Sequence, residues 1–89
     1  MAKGHLLKGI NSKSVLAYVI EQDGQYLAHA RTPDEPESAE GALKELRNAG
    51  VPPIFAFMLS GYDLTELHEL SEARWEEPVE LEYIGEVEE

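Results

Sequence analysis

Residues 15–31, VLAYVIEQDGQYLAHAR, decide the architecture. Val15 to Ile20 is an unbroken apolar run that ends at Glu21 and Gln22. Asp23-Gly24 follows, a dipeptide suited to a type I′ turn because both central residues need positive φ. Tyr26 to Arg31 is then the returning strand, and the whole stretch predicts a β-hairpin.

Outward from the hairpin, the punctuation is clear. Pro33 and Pro36 lie among acids in Thr32–Glu37, which predicts a loop. Ser38 is a suitable N-cap, and Ala39, Ala42, Leu43 and Leu46 recur at helical spacing. A helix over 39–49 follows, with Gly50 as its stop. Beyond Pro52-Pro53, residues 54–59 are apolar at every position, as in a strand covered on both faces. Ser60-Gly61 turns the chain, and Asp63 with Glu66 resembles a capping box. Leu64, Leu67, Leu70 and Trp75 are expected to line one side of a second helix, ended by Pro78. Val79, Leu81 and Tyr83 then alternate with Glu80 and Glu82, which predicts a half-exposed edge strand over 79–84.

Upstream, residues 1–12 contain Leu6, Leu7 and Ile10 among glycines and lysines. They are readable as a tail, flexible or an edge segment, or as a short first strand. Residues 86–89 are a short acidic tail.

The order is ββαβαβ, and the fold class is α/β (α+β). With the four firm strands numbered along the chain, the doubly apolar ones belong in the centre and the alternating ones at the edges. This predicts a mixed four-stranded sheet ordered 2-1-3-4. Right-handed crossovers place both helices on one face, giving a two-layer sandwich. One sheet face is then left open, and it carries either the Tyr18 set or the Val15 set of β-strand residues. Either residues 5–12 fold over that face, or it pairs with a second copy or a partner.

Eighty-nine residues make one small domain. A chain of this size buries about 60–65% of the surface its unfolded form exposes. The net charge is −11, from 18 acids against 7 bases. That excludes binding of nucleic acid through a broad basic face. The absence of cysteine excludes a disulfide scaffold, a thiol nucleophile and a thiolate metal site. No apolar run approaches the ~20 residues needed to cross a bilayer. No signal-peptide core follows Lys3, so the expectation is a cytoplasmic protein without a membrane partner.

The charge is segregated. Residues 1–20 carry three lysines and no acid, whereas residues 63–89 carry eleven acids and Arg74 alone. Glu66, Glu69, Glu72 and Glu76 form a ridge at helical spacing, and Glu80 and Glu82 share one face of the last strand. Such a surface keeps a protein soluble, and it also attracts basic partners over a distance. Small acidic inhibitors that imitate a phosphate backbone have this composition.

Chemistry is sparse by comparison. His68 and Glu72 stand at i and i+4, a spacing that lets two ligands meet one metal, but no third ligand is apparent. His5 and His29 are scattered. Ser38 is explained as a cap, and no serine has a nucleophile-elbow context. Paired carboxylates such as Asp34-Glu35 and Glu76-Glu77 fall in loops, where nothing raises a pKa for general acid work. No phosphate-cradling glycine pattern is present.

Two family resemblances touch this stretch. The hairpin, Pro-rich loop and helix resemble the opening of a Nudix domain, but the helix lacks the Arg-Glu and Glu-Glu pattern that the chemistry needs. Tyr26-Leu27-Ala28, then Pro33-Asp34-Glu35-Pro36, then Ala42-Leu43 is similar to the HicB antitoxin pattern over less than a third of the chain. The strand that this pattern has before the helix is missing here. The resemblance implies an antitoxin-like alternative and assigns no functional residue.

The sequence thus favours a non-enzymatic interaction or regulatory module without a cofactor. Glu66, Glu69, Glu72, Glu76, Glu80 and Glu82 would attract a basic protein partner, and Tyr18, Phe55 and Phe57 would supply an apolar anchor. The alternatives are a small metal- or His-dependent enzyme and a structural subunit of a larger assembly.

Overall fold

The computed structural model describes residues 2–49 and 59–87. Their elements are β1 (Lys3–Gly9), β2 (Val15–Gln22), β3 (Gln25–Ala30), α1 (Ala39–Ala49), β4 (Leu59–Tyr62), α2 (Leu64–Trp75) and β5 (Val79–Glu86). The class is α+β, as the residue pattern predicts. The sheet is ordered β4-β3-β2-β1-β5, and every neighbouring pair is antiparallel.

The β2–β3 hairpin forms in the predicted register, from Gln22↔Gln25 to Ala17↔Ala30. Asp23 and Gly24 take φ of 53° and 76°, as a type I′ turn requires. Ser38 caps α1 by accepting a hydrogen bond from the Gly41 N–H at 3.0 Å. Asp63 caps α2 in the same way, accepting from the Glu66 N–H at 2.9 Å.

Three expectations are corrected. First, the sheet has five strands and is antiparallel, where a mixed four-stranded sheet was expected. Of the readings of the N-terminal segment, the short first strand holds, and residues 3–9 are neither a tail nor a cover. They form β1, hydrogen-bonded between β2 and β5. The alternation of small and apolar residues in KGHLLKG is too weak to reveal a strand on local grounds, but both long-range ladders stabilise it.

Second, β5 is an edge strand as expected, but β3 is not, because β4 lies outside it. The expected strand over 54–59 falls outside the described residues apart from Leu59, where β4 begins. The order 2-1-3-4 fails because the last strand pairs with β1, and β4 pairs with β3 at the other end of the sheet.

Third, the helices pack on opposite faces. Tyr18, Ile20 and Leu6 form one cluster with Ala42 and Leu46 of α1. Ala17, Val19, Ala28 and Leu7 form another with Leu67 of α2, flanked by Trp75. Alternate residues of β2 point to opposite sides, so each helix covers its own face. A bulge between Leu7 and Lys8 places Lys8 opposite Val15 and leaves Leu16 as the extra residue. This is why Val15 joins the α1 cluster while Leu16 packs with the α2 cluster.

No open apolar face therefore remains over β1 and β2. Tyr18, Val19, Ile20 and Ala17 are all fully buried. The doubly apolar run that suggested an exposed patch is explained by a helix on each side. The α2 stripe also differs from expectation: Leu67 and Ser71 are buried, whereas Leu64 and Leu70 are exposed.

Candidate functional site

Helix α2 sets out its charges by what it buries. Leu67, Ser71 and Trp75 lie one turn apart along the sheet-facing side, with Leu67 and Ser71 fully buried. The opposite side presents Glu66, Glu69, Glu72 and Glu76, all exposed. Among the described residues, none of these four forms an ion pair. Glu66 in the first turn suits the helix dipole, but Glu72 and Glu76 sit at its negative end. Arg74 offsets them and stacks 5.6 Å from the centre of the Trp75 ring. Helix stability alone does not account for acids at the C-terminal end.

Glu80 and Glu82 are exposed too, but on the other side of the sheet. They share the face of Ile84, which packs against the α1 cluster. On β1, Lys8 stands opposite Glu80 and donates to Glu82 Oε1 at 2.6 Å. The Glu82 bond holds the Lys8 ammonium above its ordinary range, and the charges of Glu82 and Glu80 add to this. The six glutamates thus form two groups that flank β5, not one continuous surface. Nearby, Glu77 accepts from the N–H groups of Ser12 at 2.9 Å and Asn11 at 3.1 Å. The Ser12 N–H bond, the strongest influence, holds the Glu77 carboxyl below its usual value.

Of the three residues expected to supply an apolar anchor, only Tyr18 lies among the described residues, and it is not at the surface. Tyr18 is in the core, and its hydroxyl donates to the Pro36 carbonyl. Phe55 and Phe57 lie outside the described residues.

The histidines lie apart. His68 Nδ1 is 3.1 Å from the Leu64 carbonyl oxygen, so the ring is tied to its own helix. His5 is opposite Val19, on the α2 face, with Nε2 3.1 Å from Glu21 Oε1. Its ring lies 5.7 Å from that of Tyr83 and 6.1 Å from that of Tyr26. Burial lowers the His5 pKa, and Glu21 offsets this in part. His29 is opposite Tyr18, on the α1 face, with Nε2 3.2 Å from both Glu35 carboxylate oxygens. Among the described residues, no three His, Asp or Glu side chains are grouped to hold a metal.

Sequence reasoning missed the organisation of the Pro-containing loop. Arg31 Nε donates to the Val15 carbonyl at 2.9 Å, and Nη1 donates to the carbonyls of Glu35 at 2.9 Å and Thr32 at 3.1 Å. Its remaining amine reaches Glu37 Oε2 at 3.1 Å. Glu35 Oε1 accepts from the Thr32 N–H at 2.7 Å. Burial pushes the Glu35 carboxyl up, but the Thr32 and His29 hydrogen bonds outweigh it and hold the group below its ordinary value. This constellation is structural: the guanidinium ties the Val15 carbonyl at the start of β2 to the Thr32 and Glu35 carbonyls of a loop that lacks secondary structure. An arginine at the end of a strand, followed by two prolines, was the available clue.

No protein-family model matches the chain, and no curated protein or solved structure is detectably similar to it. No helix among the described residues is long and apolar enough to cross a membrane.

Proposed function

We propose that this protein is a non-enzymatic, cytoplasmic interaction module whose acidic surface docks onto a basic protein. The observation that carries this reading is the solvent face of α2, where four glutamates stand exposed and form no ion pair among the described residues. Each exposed pair formed with a partner contributes only about 0–1 kcal/mol. The set would act together, mainly by steering encounter. The histidine–carboxylate pairs on the two sheet faces favour no second, enzymatic reading, because they lie on opposite sides of the sheet.

The test is retention of a basic protein from source lysate on the immobilised chain, eluted in a salt gradient. Wild type is expected to release one or more basic proteins at moderate salt. Simultaneous Glu69→Lys, Glu72→Lys and Glu76→Lys substitution should abolish their retention at low salt. Retention that is insensitive both to salt and to these substitutions sinks the reading.

A further inference from the structure

The sheet ends unequally. At one edge β4 has four residues, and at the other β5 has eight. Among the described residues no strand lies beyond β5. The phase of its backbone follows from two hydrogen bonds. The Ile10 N–H donates to the Pro78 carbonyl at 2.9 Å, and the Gly9 N–H donates away from β5, to the Ser14 carbonyl at 3.0 Å. Backbone polar groups alternate sides along a strand. Glu80 and Glu82 therefore direct theirs to β1, while Val79, Leu81 and Tyr83 direct theirs to the outer edge, which no described strand covers.

The inner side of β5 shows what kind of strand it accepts. Its partner β1 carries lysines at both ends and no acid, and β5 carries Glu80, Glu82 and Glu86. Lys3 stands opposite Glu86, Lys8 stands opposite Glu80, and Lys8 bonds Glu82. The outer side has the same glutamates and no such lysine. A second copy of β5 is a poor occupant, since antiparallel self-pairing would set acid against acid.

We propose that the outer edge of β5 receives an extended basic segment of the partner as an added antiparallel strand. This rests on the acidic-docking reading and specifies the partner's chemistry: lysine or arginine at alternate positions, with apolar residues between. Val79, Leu81 and Tyr83 supply the main-chain bonds. Glu80 and Glu82 then occupy non-hydrogen-bonded pairs, where facing side chains come closest. Basic residues opposite them repeat the arrangement of Lys8. On the other face, the intervening apolar residues lie beside Tyr83, which is 55% exposed.

The experiment is an NMR titration of isotope-labelled protein with two capped heptapeptides of equal charge. One alternates lysine with valine, and the other places glycine and proline between the lysines. The alternating peptide should shift amides of 79–86 and slow hydrogen exchange at Leu81 and Tyr83. The glycine–proline peptide should bind at least tenfold more weakly. Glu80→Gln and Glu82→Gln should each weaken the alternating peptide about two- to fivefold at low salt. Tyr83→Pro removes an outward N–H that no described strand pairs with and should abolish binding. The amide spectrum checks that this variant is folded, and the two glutamine variants test the same edge independently.

Equal binding of both peptides, with shifts confined to α2, overturns strand addition and leaves charge-driven docking intact. Absence of binding by either peptide overturns both. Concentration-dependent shifts at β5 without peptide would instead assign the edge to a second copy.

Discussion

The hydroxyl of Tyr18, a fully buried residue at the centre of the sheet, donates its hydrogen bond to the backbone carbonyl of Pro36. A core strand is thereby fastened to a loop with two prolines. Tyr18→Phe should cost about 1–3 kcal/mol, because the carbonyl is left unpaired while the ring still packs. Urea unfolding of the two proteins measures it, and equal midpoints would show that water replaces the hydroxyl.

The same tyrosine has a pH signature. Burial, followed by the Glu35 and Glu45 charges, pushes its pKa up to about 12. Below pH 10 it is neutral in both folded and unfolded chains. Between 10 and 12 only the unfolded chain releases the proton, so stability falls as pH rises through this window. In a spectrophotometric titration Tyr18 should ionise after an ordinary tyrosine, and Tyr18→Phe should remove that late step.

Arg31 and Glu35 hold the loop through different chemistry. Arg31→Lys keeps the charge but loses the fork that reaches three carbonyls. It should destabilise the protein by about 1–3 kcal/mol and speed amide exchange across 32–37. Glu35 has a folded pKa below its ordinary value of 4.5. Its ionised form therefore stabilises the fold above pH 4.5, and that contribution is lost as pH falls through the folded pKa. Glu35→Gln should flatten this acid limb, and an unchanged limb would place the effect elsewhere.

His5 also favours its deprotonated form in the fold, here the neutral imidazole. Burial keeps its folded pKa below 6.5, so the unfolded chain takes up a proton first as pH falls. Stability should decline with falling pH from 6.5 toward the folded pKa. His5→Gln should remove this slope. Imidazole proton shifts in the folded protein measure the same displacement directly.

Ser71 is fully buried, and among the described residues its Oγ has no hydrogen-bond partner. Ser71→Ala should therefore stabilise by about 1 kcal/mol, since it removes an unpaired polar atom at nearly constant volume. Loss of stability on this substitution would reveal a partner for the hydroxyl.

Local chemistry made much of this fold legible. Asp23-Gly24 named the hairpin, and Ser38 and Asp63 named the helix starts, because turn and cap energetics act within a few residues. What escaped was non-local. Nothing in Lys3–Gly9 announces that its partners are residues 15–21 and 79–86. Apolar residues on both faces of β2 were compatible with an open surface or with a helix on each side, and only the tertiary arrangement decides between them. The acidic residues were visible as charges, but their division into two groups depends on the β1–β5 register. Arg31 looked ordinary because its value lies in carbonyls that the sequence does not display.

The placement of β1 has a consequence for biogenesis. The first described strand completes its pairing only with the last, Lys3 against Glu86 and Gly9 against Val79. During synthesis the β1–β2–β3 meander can form early, but one side of β1 stays bare until β5 has emerged from the ribosome. Contacts of such long sequence separation slow folding, and the nascent chain meanwhile exposes a strand rich in apolar residues. The interval between translating β1 and β5 is when this protein would most need a chaperone.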